Sequence, residues 1–379
     1  MYPPLIRQIV RTFLAVSSLV ALSFPPTRLG AQPKLTTWKA AEVWRTDGGE
    51  GGEPFADLRD YVVLKDGSLW ALDFKFQDIR RYSADGKLLS KIARKGQGPG
   101  ELQNANGMLV TKDGTVWVND PQNRRFSIYG ADGKFLHQFL FPITTFGYRW
   151  SAWTNLNSGE IVEARINRDS SGWRRFDNRG NVVGGLPFTA CQSGKPSPGY
   201  YRAETPGKGS SNGSYPFGTG GGLAPDGNGN AWCASIYATR VALVRMNPKN
   251  DTIATTTLEI PNIPVSSAEH DAAMTRVDSN IARYATNNFD KANIASAKPG
   301  IAALHADSDG RLWVQHADVF GKRVTTLDVF DTKGKHLGRV VVPLKGNAYL
   351  PLRARGNLMW LTMLDDDDVP YIVHFRLQP

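Results

Sequence analysis

The sequence predicts an all-β fold, a six-bladed β-propeller in which an N-terminal strand closes the last blade and a small helical insertion precedes the fifth. Three observations predict it. A motif recurs at a fixed offset of 47 residues, Asp-Gly dipeptides punctuate each copy, and the 379-residue chain holds 38 Gly beside 10 Trp, 12 Tyr and 17 Phe. A period in the forties with four short strands per unit is the mark of a propeller, and it overrides the two or three domains that length alone suggests. With 41% hydrophobic and 21% charged residues, the chain is too apolar for intrinsic disorder and too polar for a polytopic membrane protein.

Residues 1–31 read as an export signal. Arg7 and Arg11 form a basic start, Phe13 to Phe24 an apolar run, Pro25-Pro26 a break, and Ala31 a small residue before Gln32. The run is short for a bilayer span, and no Cys follows it as a lipid anchor. The expectation is a periplasmic or secreted protein of residues 32–379, with no transmembrane segment once the signal is removed. Loss of Arg7, Arg11 and Arg28 reduces the formal charge from +10 to +7. No Lys/Arg run stands out in what remains, so nucleic acid is excluded as a partner. A monomer with a protein, peptide or glycan ligand is expected.

The repeat is most regular near the start. Asp66-Gly67 precedes Leu69-Trp70 and Asp73, then Tyr82 and Asp85-Gly86; Asp113-Gly114, Val116-Trp117, Asp120, Tyr129 and Asp132-Gly133 follow 47 residues later. Looser copies carry Ser158-Gly159 before Ile161-Val162, Asp226-Gly227 before Ala231-Trp232, and Asp309-Gly310 before Leu312-Trp313. A sixth has Arg355-Gly356 before Leu358-Met359-Trp360 and ends with the strand Tyr371 to Leu377. The Asp-Gly pairs are read as two-residue hairpin turns. Because the sixth copy lacks a fourth strand, Trp38 to Trp44 is assigned to complete it, which leaves no long exposed sheet edge. The signal and two insertions, 190–221 and 262–300, account for the remaining length.

Asn119-Asp120-Pro121-Gln122-Asn123-Arg124-Arg125-Phe126, running on to Tyr129 and Asp132-Gly133-Lys134, resembles an NHL repeat. Gly96-Gln97-Gly98-Pro99-Gly100-Glu101-Leu102 resembles the Gly-rich joint of bacterial exported six-bladed propellers of the NHL-repeat-like group, and Asp307 to Val314 with Leu327 to Asp331 is similar to their penultimate blade. The resemblance spans about residues 35–379. It implies the fold and leaves function open, since such propellers serve as protein-binding platforms, sensors and, less often, enzymes.

Strand order sorts the loops onto two faces. The turns after first and third strands are short and repetitive, whereas the loops after second strands and between blades are long and irregular. Function concentrates on irregular loops held by a rigid scaffold, so the long-loop face is the candidate site. Lys95, Gln97, Trp150, Tyr201, Arg202, Arg240, His316 and Asp366 are placed there by connectivity. In the second insertion, Ser266 and Glu269 form a capping box ahead of an apolar stripe at Met274, Val277, Ile281 and Tyr284, which predicts a helix packed on the propeller. The first insertion, Gln192 to Gly222, reads by its Gly, Ser and Pro content as a mobile loop.

No catalytic residue emerges. Gly209-Ser210-Ser211-Asn212-Gly213 matches a nucleophile elbow only formally, without a strand before it and a helix after it. Asp226 to Asn230 begins like a calcium loop, but Ala231 stands at the sharp-turn glycine and Tyr237 at the bidentate glutamate, so it reads as a turn. His305 is paired with Leu312, about 13 Å along the strand from His316, too far to share an ion. No cofactor is assigned. The acidic loop Asp365 to Asp368 is the place where calcium would bind if it binds at all. Cys191 and Cys233, the only cysteines, are the candidate disulfide of an oxidising compartment, with two buried free thiols as the alternative. The expected function is binding through the long-loop face. The alternative is a metal-dependent hydrolase or lyase of the gluconolactonase or amidating-lyase type on the same fold.

Overall fold

A computed structural model of the chain describes residues 36–46, 53–140, 152–154, 158–166, 171–186, 199–319 and 321–379. The signal sequence, Trp150 and Cys191 lie outside the described residues. The fold is mostly β, with one α-helix among those residues.

Four antiparallel sheets of four strands follow one another. They are Leu58–Val63 to Leu88–Ile92, Gly107–Val110 to Phe135–Leu140, Ala152–Thr154 to Val182–Leu186, and Gly220–Pro225 to Thr252–Glu259. The fifth runs from Ile301–Ala306 to His336–Val342. The sixth pairs Arg353–Arg355, Leu358–Leu364 and Pro370–Gln378 with the N-terminal strand Thr37–Arg45. That N-terminal strand also pairs in parallel with the fifth sheet at Thr37↔Arg339 and Trp38↔Val340.

Within a sheet, burial falls from the inner strands to the outermost. Val116–Asp120 and Arg125–Tyr129 are buried throughout, while Phe135–Leu140 is mostly exposed. The second-strand tryptophans Trp70, Trp117, Trp232, Trp313 and Trp360 are all at most 2% exposed. Each fills a seam between its own sheet and the next: Trp70 meets Met108 and Tyr129, Trp117 meets Phe176, Trp232 meets Val314, and Trp313 meets Met359 and Val373. Trp360 of the sixth sheet packs with Tyr61, Leu69 and Ala71 of the first. The fifth tryptophan therefore joins the last sheet to the first. At about 25 cal/mol per Å² and roughly 200 Å² per ring, each seam tryptophan contributes about 5 kcal/mol before entropy is counted.

The first hairpins carry three-residue loops, a correction to the two-residue turns read from the sequence. Leu64 N–H donates to Ser68 O and Gly67 N–H to Leu64 O, and Thr111, Asp226 and Asp307 open the same pattern. A type I′ turn needs φ > 0 at both central residues, whereas here only the glycine is left-handed, as at Gly67 (φ 87°) and Gly114 (φ 87°). Asp66 Oδ1 instead accepts the Ser68 N–H at 2.9 Å. The extra loop residue has two consequences. The turn glycine of the fourth sheet is Gly229 (φ 86°) rather than Gly227, and His305 pairs with Trp313 rather than Leu312. Among the first hairpins described in full, the sixth sheet alone has the two-residue form, Arg355↔Leu358 around Gly356.

The two insertions fold together. Tyr200–Thr205 and Gly209–Ser214 form a hairpin, and Thr286–Asn287 from the second insertion adds a third strand through Ala203↔Asn287. The described part of the segment read as a mobile loop is therefore a paired hairpin, held by a partner some 80 residues away that composition cannot reveal. The helix Ser267–Ile281 begins with the expected capping box, Ser266 Oγ accepting from Glu269 N–H and Glu269 Oε2 accepting from Ser266 N–H. Its buried positions are Ala273 and Val277. Val277 packs with Tyr201, Tyr215, Ile281 and Phe289, so the stripe faces the first insertion.

Candidate functional site

The first strands of all six sheets converge on one cavity of about 360 Å³. Val62, Val63, Leu109, Val110, Pro225, Ala306, Ala354 and Trp360 supply an apolar wall. Lys65, Gly227, Ser308 and Arg355 belong to the first hairpins, so the cavity lies at the short-turn end of the strands. None of the seven described residues among the eight placed by connectivity lines it.

Among the described residues, three cations share the lining with this wall: Lys65 of the first sheet and Arg353 and Arg355 of the sixth. Lys65 Nζ donates to Lys112 O at 3.3 Å, and Arg353 donates weakly to Tyr61 O at 3.4 Å and stands 3.7 Å from Asp60. Arg355 has neither an ion pair nor a side-chain hydrogen bond among the described residues. Among the described residues Asp307 is the only carboxylate in the lining, and both its oxygens are committed. Oδ1 accepts from the N–H groups of Asp309 and Arg311, and Oδ2 from Arg311 Nε at 2.7 Å and Trp313 Nε1 at 2.8 Å. Burial pushes its carboxyl above the ordinary range against the pull of Arg311. Sequence reasoning missed these cations because Lys65 sits in a hairpin turn and Arg353 and Arg355 on a short strand, both of which look purely structural. The one signal was the recurrence of a lysine, Lys65 and Lys112, before two Asp-Gly pairs 47 residues apart.

The long-loop residues have diverse surroundings. Lys95 and Gln97 are exposed on a connection braced from below. Arg125 donates to the carbonyls of Gln97, Gly98 and Glu101 at 2.7–2.9 Å, and Asn123 Nδ2 donates to Gly96 O. Arg240 is exposed over the Tyr237 ring, and Arg202 is exposed and paired with Glu204 at 2.7 Å. Tyr201 departs from the expected surface role. It is 4% exposed, edge-on to Tyr215 and Phe289, and its hydroxyl accepts from Asn280 Nδ2. Strand alternation turns it inward and leaves its neighbour Tyr200 exposed.

His316 is bound to Asp328 inside the fifth sheet. Asp366 is exposed but lies 3.3 Å from Arg323, and Asp368 pairs with Lys345 at 2.6 Å, so two of the loop's four carboxylates have cations from their own chain. Lys345 also holds the Asp368 carboxyl below its ordinary value. At the other acidic turn, Asp226 accepts the N–H groups of Asn228 and Asn230 and pairs with Arg245 at 2.5 Å, as a turn with an internal counter-ion does. Among the described residues no three His, Cys, Asp or Glu side chains are grouped to hold a metal. Ser210 and Ser211 lie in a hairpin strand, away from any strand-to-helix elbow. Cys233 is disulfide-bonded.

No family model matches the sequence, and no curated protein does. Among solved structures, the chain is similar to virginiamycin B lyase from Staphylococcus aureus, with 13% identity, 90% of this chain and 100% of the other covered, and a TM-score of 0.48. It is similar to U3-55K at 12% identity, 88% and 99% coverage and a TM-score of 0.49. Regucalcin, a calcium-binding protein from Agrobacterium tumefaciens, gives 12% identity, 90% and 96% coverage and a TM-score of 0.41. At these values the likenesses assign neither a family nor an activity. No helix among the described residues is long and apolar enough to cross a membrane.

Proposed function

We propose that the mature chain, residues 32–379, is an exported six-bladed β-propeller that binds a ligand on its axis. The six sheets are its blades, and the strand Thr37–Arg45 completes the sixth. The observation that carries this reading is the cavity to which every first strand contributes. A concavity with apolar walls and few polar groups is the usual form of a small-molecule site, and here it stands on strands rather than on loops. The opposite face, with Lys95, Gln97, Arg202, Arg240, Asp366 and, by connectivity, Trp150, is the surface we assign to a protein, peptide or glycan partner. A periplasmic or secreted location goes with the reading of residues 1–31 as a signal.

Binding on the axis is tested by a fragment screen using ligand-observed NMR on the mature protein and on Ala306→Phe, which fills the cavity from one wall. Hits that vanish in the variant support the reading, and hits that persist place binding elsewhere. The metal-dependent hydrolase or lyase is separated by elemental analysis: stoichiometric calcium or zinc in purified protein would favour it.

A further inference from the structure

The composition of the axial cavity points to a class of ligand. We propose that it accepts a compact apolar molecule bearing one anionic group, a carboxylate or a phosphate; this deepens the axial-binding reading and rests on it. Lys65 from the first sheet and Arg353 and Arg355 from the sixth join the apolar wall, against Asp307 as the one carboxylate of the lining among the described residues. Four donors already occupy Asp307, so it offers an incoming cation little free acceptor capacity. Of the three cations, Arg355 is unpaired among the described residues, Lys65 has only a carbonyl partner, and Arg353 is held by bonds near the limit of hydrogen-bond length. A guanidinium beside a low-dielectric wall gains most from a planar or tetrahedral oxyanion that takes two of its N–H groups at once. The apolar residues, Val62, Leu109, Val110, Pro225, Ala354 and Trp360 among them, would meanwhile cover the ligand's body. A volume of about 360 Å³ is at the small end of ligand sites. That suits a single ring or short branched chain with its headgroup and excludes a polymer.

The test uses the mature protein and four probes sharing one ring: benzoate, phenyl phosphate, benzyl alcohol and benzylamine, titrated by ligand-observed NMR. Either anion should bind at least about tenfold more tightly than the alcohol, with the ammonium weakest, and the tighter of the two anions identifies the headgroup. Arg355→Glu and Lys65→Gln should each weaken the better anion about tenfold or more. Lys249→Glu, an exposed turn residue outside the lining with the same charge change as Arg355→Glu, should leave it unaltered. Four probes of equal affinity, or an unchanged anion affinity in both variants, would overturn the anion assignment while leaving axial binding in place. Failure of all four probes to bind would remove both.

Discussion

The Nε2 atom of His316 stands 2.5 Å from Oδ2 of Asp328 in the fifth sheet. The same carboxylate takes His336 Nε2 at 2.8 Å and the Arg339 guanidinium through both oxygens, at 3.0 and 2.8 Å. Burial of Asp328 acts to raise its pKa, but hydrogen bonds from His316, His336 and Arg339 outweigh it and hold the carboxyl far below the ordinary range. A carboxyl depressed on folding contributes stability that is complete above its unfolded value of about 3.9 and is lost as pH falls toward the folded value. Asp328→Asn should therefore cost about 3 kcal/mol at pH 7 by leaving the half-buried Arg339 guanidinium without its anion. Its urea midpoint should fall less steeply than that of the wild type below about pH 4. Parallel slopes for the two proteins would contradict this.

His374 loses stability in the same direction of pH, but through burial rather than through ionic partners. Its ring stacks on Trp360 with centroids 4.4 Å apart and lies edge-on to Trp44 at 5.5 Å. Burial, aided by Arg376, lowers its pKa to about 4. Between about 6.5, the ordinary value, and about 4 the unfolded chain binds a proton that the folded chain refuses, so stability declines as pH falls through that window. His374→Phe keeps a stacking ring and removes the titration. Thermal melts from pH 7 to 4 should show the wild type losing ground to the variant; equal losses would show that His374 is not the group responsible.

Much of this architecture was legible because its signals are local. Asp66-Gly67 and Asp113-Gly114 mark turns wherever they fall, and Trp70 and Trp117 share one register. The Ser266–Glu269 box was read correctly because capping spans a single helical turn. What escaped depends on distance. The first insertion gains its order from Ala203↔Asn287, and Tyr201 its burial from a helix some 75 residues on. The loop length at Asp307 decided the register of His305, and no pattern in the sequence distinguishes two turn residues from three. The cations of the cavity were hidden for a similar reason, since Lys65 and Arg355 become neighbours of one space only when first and last sheets meet at Trp360.

That meeting can be probed at Gly86. A Cβ built there would lie 2.7 Å from the Trp44 ring, and the backbone is left-handed at φ +86°. Trp44 belongs to the sixth sheet and donates through Nε1 to Ala84 O of the first at 2.9 Å. Gly114 has the same conformation, φ +87°, with nothing within 4 Å. Gly114→Ala should cost only the conformational penalty, about 1 kcal/mol. Gly86→Ala should cost about 1–2 kcal/mol more through overpacking, measured by denaturant midpoints. Equal costs would mean that the Trp44 contact carries no weight.

Arg125 is the brace of the Gly96–Leu102 connection, donating to the carbonyls of Gln97 and Glu101 and sharing that of Gly98 with the Glu101 N–H. Hydrogen bonds from a charged donor contribute about 1.5–3 kcal/mol net. Arg125→Ala should destabilise the protein by about 3 kcal/mol, and limited proteolysis should cut first beside Lys95. Arg125→Lys cannot reach three carbonyls with one ammonium and should recover only part of the loss. Full recovery by lysine would reduce the brace to a simple charge requirement.

The N-terminal strand offers the most direct test of how the sheets are joined. Trp38 lies edge-on to Trp313 of the fifth sheet with centroids 6.3 Å apart, Lys39 to Arg45 pair with the sixth, and Trp44 reaches the first. One nine-residue strand thus contacts three sheets, and its removal exposes an edge, two tryptophan sites and the seam at Ala84. A chain lacking residues 32–46 should melt well below the full chain and lose a single cooperative transition. A synthetic peptide of residues 36–46 added in trans should raise that melting temperature with peptide concentration and then saturate, as binding to the folded form alone requires. A truncated chain that melts like the full one would show that the sheets hold together without this strand, and the ring proposed here would lose its closure.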